Sequence, residues 1–289
     1  MTLLTRWLGL LLLLGSLSPV LAGDLHYAAS LEDSTWKTSE SPLLCTLSHP
    51  ISLFGQAEFY QTAGHQPAFR FFVNQAPIRK GRVTVTSSPP GWKYGEVIAK
   101  IGEYTYQRGE SPFRFNRETS LRLLAELEKG MLPVFRFTDW GDGRDNVTVI
   151  LSSVRYREAL GKFRVCMGQI IPYEFEKTRD TKVYFATAKS NLSVKARRQL
   201  DAVAAFLLRD ASVKKASVEG HADDRGDHTY NNTLSEQRAI AVRNYLLEKK
   251  VPVSKLSVRY FGKRKPTSSV KNERGRSLNR RVSIILHRE

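Results

Sequence analysis

The chain is poor in cysteine and short of acid. Only two of its 289 residues are cysteines, Cys45 and Cys166. That is too few for a disulfide-scaffold miniprotein or a cysteine-rich zinc site. Signatures of catalysis are also missing. There is no Ser-His-Asp order, no cysteine nucleophile with a partner, no helix with paired metal-binding histidines and no phosphate-cradling glycine loop. The chain is therefore expected not to be an enzyme and to carry no cofactor or metal. His221, Asp223, Asp224, Asp227 and His228 crowd one short segment. Metal sites need fixed geometry and supporting partners, and an acid-rich loop of this kind reads instead as a turn. Long apolar runs are scarce as well: Leu8 to Leu17 is one, and it is too short to cross a bilayer as a helix.

What that run does fit is an export signal. Arg6 supplies a positive start, and Val20 and Ala22 put small or modest residues where a signal peptidase cuts. Residues 1–22 are thus read as a signal peptide and the mature chain as periplasmic. In an exported chain an isolated cysteine pair defaults to a disulfide, two free buried thiols being the alternative. A Cys45–Cys166 bridge would hold both cysteines within one folded unit.

Acid is short unevenly. The chain has 45 Lys+Arg against 28 Asp+Glu, net +17. Residues 23–170 hold 18 and 15, net +3, whereas residues 171–289 hold 26 and 13, net +13. Such basicity points to a polyanion. Export excludes nucleic acid as the partner and leaves the cell wall, anionic lipid or an acidic protein.

The two halves also differ in pattern. In the first, Ile51 to Phe54, Ala68 to Val73, Arg82 to Thr86, Val134 to Phe137 and Val147 to Leu151 are short, β-branched or aromatic, and several alternate. One helix, capped by Asn116 and ended by Gly130, interrupts them. Residues 23–173 read as a β-rich domain, sandwich- or barrel-like. Polar residues 174–182 read as a linker. From 183 to 289 the order is β-α-β-α-β-β, two helices on one sheet, making the whole chain α+β. Ala196, Leu200, Val203 and Leu207 stripe the first helix, and Thr233-Leu-Ser-Glu236 matches a capping box opening the second.

Between the second strand and second helix lies the segment most able to bind. Asp223 follows the strand and offers a negative partner for an ammonium. Arg238, read as lying in the first turns of the helix, offers a fork for a carboxylate. Acid and base facing across a loop suit a zwitterion such as the free end of diaminopimelate. A structural Asp–Arg salt bridge would leave the same pattern, and spacing does not separate the two.

Gly220-His-Ala-Asp-Asp-x-Gly226, Tyr230-Asn231, Leu234-Ser-Glu-x-Arg-Ala239, Val242, Tyr260-Phe-Gly262, Pro266 and Asn279-Arg-Arg-Val282 resemble the signature of OmpA-like peptidoglycan-binding domains over about 100 residues. The resemblance implies an OmpA-like α/β sandwich that holds the diaminopimelate stem peptide of peptidoglycan. It puts Asp223 and Arg238 on the ligand and Asn231, Gly226, Leu234, Ser235 and Thr187 around it, with Arg281 supporting the site. Two positions depart from the family. Ala222 stands where Thr usually precedes the Asp, and Ala186 where many members have Asp; both losses lower the expected affinity.

Pro42-Leu-Leu-Cys45, His49-Pro-Ile51, Phe54-Gly55, Glu126-Leu-Glu-Lys-Gly130, Pro133, Asp139-Trp140, Leu151-Ser-Ser-Val154 and Cys166 resemble the MotY family of sodium-type flagellar motor proteins. That resemblance implies a T-ring component around the basal body with MotX as partner, aiding assembly of the stator units. The alternative is a wall anchor of the same C-terminal chemistry unconnected with flagella.

Overall fold

A computed structural model describes residues 23–141 and 143–289; the export signal read at 1–22 lies outside them. The strands of the first half are β1 (Asp24–Ala28), β2 (Lys37–Glu40), β3 (Leu44–Ile51), β4 (Gly55–Thr62), β5 (Ala68–Val73), β6 (Gly81–Ser88), β7 (Ala99–Tyr106) and β8 (Arg114–Phe115). Helix α1 (Arg117–Glu128), β9 (Leu132–Thr138), β10 (Asn146–Ile150) and α2 (Tyr156–Gln169) complete it. The strands form two five-stranded sheets, ordered β1-β10-β9-β6-β7 and β2-β3-β4-β5-β8. Every pairing is antiparallel except β1 on β10.

Alternation makes this a sandwich. Phe69, Phe71 and Val73 project from one sheet, and Val83, Val85, Phe135 and Phe137 from the other; all are buried in one core. Phe71 meets Phe135 edge-on at 4.9 Å between ring centroids. Each such ring stabilises the fold by roughly 1.5–3 kcal/mol through burial. Helix α2 lies against β2 and β3 and buries Tyr156, Ala159, Leu160, Phe163 and Cys166, a helical stripe. Cys166 bridges to Cys45 on β3, as the sequence led us to expect, so the disulfide staples α2 to the sheet.

Two readings of this half need correction. Ile51 to Phe54 is not a strand of its own: Ile51 ends β3 and residues 52–54 form the turn into β4. Phe54 N–H donates to the Ile51 carbonyl at 3.1 Å, and Leu53 takes a left-handed φ of 65°. Ile51 and Phe54 are apolar because the turn folds both into the core. Nor is α1 the only helix, since α2 follows it.

The remaining elements are α3 (Phe175–Thr178), β11 (Asp180–Tyr184), α4 (Val194–Arg209), β12 (Val213–Gly220), α5 (His228–Glu248), β13 (Leu256–Tyr260), α6 (Glu273–Asn279) and β14 (Arg281–Arg288). The sheet runs β11-β14-β12-β13, with β13 parallel to β12 and the other pairs antiparallel. Helices α4 and α5 pack on it over a second core that includes Val183, Leu200, Val203, Val218, Val242 and Ile284. The fold is thus the expected β-rich first half followed by an α/β sandwich. Residues 174–182 are not an open linker: they hold α3 and the start of β11. Gly64 N–H donates to the Ile171 carbonyl and Ile171 N–H to the Pro42 carbonyl, so the end of the β3–β4 hairpin docks where the second core begins. Among the described residues no helix is long and apolar enough to cross a membrane.

Candidate functional site

Strand β12 ends at Gly220, and α5 crosses so close that a Cβ there would run into the Ser235 carbonyl. Glycine therefore sets how tightly α5 seats on the sheet, and with it the loop 221–227 between them. The loop is held from behind. Asn231, buried on α5, donates to the carbonyls of Arg225 (2.7 Å) and Asp227 (3.0 Å). Gly226 takes φ 81°, a left-handed conformation costly for other residues. Ser235, also buried, donates to the Asn232 carbonyl and accepts the Gly262 N–H at 2.9 Å, tying α5 to the turn after β13. Leu234 is buried beside it. Asn231, Leu234 and Ser235 are buried and build the loop from behind, while Gly226 is exposed within it.

The helix starts earlier than the capping box indicated. Asp227 caps it, accepting the Tyr230 N–H at 2.7 Å, and Thr233 lies inside. A carboxylate cap contributes about 1 kcal/mol and outcompetes a threonine six residues on. One consequence concerns Arg238. It sits in the third turn of α5, beyond the reach of the helix dipole, which fades within the first turn.

Arg238 is 0 % exposed. Its guanidinium donates to the carbonyls of Lys189 (2.9 Å), His221 (3.1 Å) and Ala186 (3.2 Å) and lies 5.3 Å from the Phe185 ring centre. Burial pushes its pKa down to about 10, which leaves it charged at neutral pH. Arg238 therefore clasps the turn after β11 to the loop after β12. It does not pair with Asp223.

Asp223 is 7 % exposed and accepts from three donors. These are Arg225 N–H (3.1 Å), Arg225 Nη2 (2.9 Å) and Arg280 Nη1 (3.1 Å). Burial opposes its ionisation, but the hydrogen bonds from Arg225 and Arg280 outweigh burial and hold its carboxyl below the usual range. Arg280 in turn donates to Glu273 (2.7 Å) and the Phe185 carbonyl (3.2 Å), and Arg276 pairs with Asp224 at 2.8 Å. Thr187, exposed, accepts from Arg225 Nη2 at 3.2 Å. The mouth thus holds one buried carboxylate and one exposed hydroxyl, both occupied by the same guanidinium.

Arg281 is misassigned by the motif. It turns away from Asp223, donating to Ser283 Oγ (3.3 Å) and the Lys265 carbonyl (3.2 Å). Neighbouring residues in extended chain face opposite sides, and Arg280, just before the strand, is the arginine that bonds Asp223. Arg280, Arg225 and Glu273 were missed by the sequence reading. The Asn279-Arg-Arg-Val282 run signalled the first; nothing signalled Glu273.

His221 lies beneath the loop, 2 % exposed and stacked on Phe261 at 5.5 Å. Burial, with Arg281 and Lys265 nearby, pushes its pKa down to about 4. An unfolded imidazole takes a proton near pH 6.5 while the native one stays neutral, so stability is full above pH 6.5 and drains as pH falls toward 4. The C-terminal domain should lose on the order of 3 kcal/mol over that interval. Urea melts at pH 7 and pH 4.5 check this: His221→Phe is expected to flatten the loss, and an undiminished loss would refute the assignment.

The sheet with its two helices, the loop after β12 and the arginine clasp define a domain of the OmpA family, whose model matches residues 184–280. Residues 27–172, half of the chain, match the MotY N-terminal domain, and the chain belongs to the MotY family. It is 28 % identical to the sodium-type flagellar protein MotY of Vibrio parahaemolyticus over 99 % of both chains. The C-terminal part alone is 38 % identical to the outer-membrane lipoprotein YfiB of Pseudomonas aeruginosa and 36 % identical to the peptidoglycan-associated lipoprotein of that organism. Those matches cover 38 % and 36 % of this chain and 64 % and 61 % of the two lipoproteins, under two thirds of their length. Among solved structures, the peptidoglycan-associated lipoprotein of Burkholderia pseudomallei aligns with 37 % of this chain and 89 % of its own, at 26 % identity and a TM-score of 0.36.

Proposed function

We propose that this protein is a non-enzymatic periplasmic component of the flagellar motor that anchors to peptidoglycan. In this reading residues 183–289 hold the wall. Residues 23–173 contact the basal-body ring and MotX and so support stator assembly. The observation that carries it is the joining, in one chain, of a MotY N-terminal domain with an OmpA-family domain bearing the Asp223 loop.

Chemically, the free end of diaminopimelate brings an ammonium and a carboxylate. The ammonium takes Asp223 as counter-ion, with Thr187, which shares Arg225 Nη2 with Asp223, as a further acceptor. The carboxylate meets the positive field of Arg280 and the buried Arg238. Arg238 acts chiefly by fixing the Ala186, Lys189 and His221 carbonyls, which shape the mouth. The net +13 of residues 171–289 draws the domain to an anionic wall, an attraction that salt weakens.

A gene deletion with complementation tests the motor reading. Loss of swimming with filaments still assembled, restored by the wild type and not by Asp223→Asn, is expected. Normal motility in the deletion strain would instead favour a wall anchor unrelated to flagella.

A further inference from the structure

Arg225 is the one guanidinium of the loop that is both exposed and engaged with the site's acceptors. Its Nη2 bonds Asp223 Oδ2 at 2.9 Å and Thr187 Oγ1 at 3.2 Å, and its Nη1 lies 3.6 Å from Glu273 Oε2. Its side chain is 41 % exposed, against 9 % for that of Asp223 and 7 % for that of Arg280. Arg280, the other cation on Asp223, is locked by Glu273 and the Phe185 carbonyl. Outside its own loop Arg225 meets the exposed Thr187 hydroxyl and, at 3.6 Å, the carboxylate of Glu273, itself exposed. The Arg225 backbone is held, because Asn231 takes its carbonyl and Asp223 its N–H. Only the side chain is free to leave.

We propose that Arg225 is a built-in stand-in for the ligand's ammonium, closing on Asp223 and swinging out when a zwitterionic amino acid enters. The proposal rests on the wall-binding reading above and adds to it a residue that sets affinity. Two consequences follow from the geometry. First, Asp223 keeps a counter-ion in both states, so the nearly buried carboxylate is never left with Arg280 alone. Second, ligand binding exchanges one charge-assisted pair for another, and affinity is lower than the pocket's contacts would otherwise give. Having swung out, the guanidinium stays beside Glu273 and Asp224, both within the same cluster.

The test measures binding of free meso-diaminopimelate by calorimetry, and of purified sacculi by co-sedimentation, to the mature protein, Arg225→Ala and Arg225→Lys. The free amino acid separates the exchange from any loss of general wall attraction caused by removing a positive charge. Arg225→Ala is expected to bind it about three- to tenfold more tightly, the range set by one partly exposed charged pair. Arg225→Lys should fall between, because a single ammonium closes Asp223 without the planar fork that also reaches Thr187 and Glu273. In the ligand-free protein, carbon-13 titration of Asp223 should show its carboxyl rising toward the ordinary range in Arg225→Ala. Equal binding by Arg225→Ala, with wild type binding well, would overturn the proposal alone, and weaker binding would overturn it and make Arg225 a ligand contact. Absence of binding by every form would overturn the wall-binding reading and this proposal with it.

Discussion

Replacing Cys45 and Cys166 together by alanine should cost the N-terminal domain about 4–5 kcal/mol, the largest single effect expected in this protein. The bridge spans 121 residues, and closing so long a loop removes much of the freedom of the unfolded chain. Both cysteines are buried in the core, so alanines also leave a small void where the sulfurs packed. Without the bridge, α2 is held to the sheet only by its apolar stripe and by contacts such as the Thr38 hydroxyl on the Ala159 carbonyl at 3.1 Å. The melting temperature of this domain should fall by roughly 10–20 °C. The C-terminal domain has its own core and no cysteine, and its transition should stay within a few degrees. Calorimetry of the double variant checks both halves of this statement. A drop shared equally by both transitions would show that the two cores unfold as one.

Arg238→Ala is the second large effect, and it falls on folding before it falls on binding. The substitution takes the donor from the carbonyls of Lys189, Ala186 and the buried His221, and opens a cavity at the largest fully buried side chain among the described residues. Leaving buried acceptors unpaired at this cost predicts a loss of about 3–5 kcal/mol. Arg238→Lys should recover little, because one ammonium cannot reach three carbonyls on two separate segments. Urea unfolding of the C-terminal domain measures this directly. If Arg238→Ala kept wild-type stability yet lost sacculus binding, Arg238 would be a ligand contact and not a clasp.

That outcome for Arg238 also shows where sequence reading reached and where it stopped. The motif placed the residue at the right loop, but its role depended on where α5 begins. Asp227 and Thr233 are both good caps, and only packing decides between them; the earlier cap moved Arg238 from the first turns to the third. Arg281 against Arg280 was more legible. Val282, Ile284 and Leu286 alternate into the core, which puts Arg281 and Ser283 together on the other side. Strands β5, β6, β9 and β10 were visible because aromatic and β-branched residues alternate there. Helix α2 was not, since no side chain caps its start and Arg155, just before it, holds a left-handed φ of 56°. The turn that follows Ile51 was hidden for the opposite reason. Ile51 and Phe54 are core residues, and their pattern does not distinguish a strand from a buried turn.

In the function proposed for this protein, the loop after β12 holds peptidoglycan through Asp223. Co-sedimentation of the mature protein with purified sacculi, wild type beside Asp223→Asn, tests it most directly, with circular dichroism to show that both are folded. Asn keeps the shape of the side chain and removes the charge that an ammonium needs. Wild type should pellet with the sacculi in a saturable, salt-sensitive way, and Asp223→Asn should remain largely in the supernatant at the same concentration. Equal sedimentation of the two folded proteins would contradict the claim and leave the basic surface, not the site, as what the wall attracts.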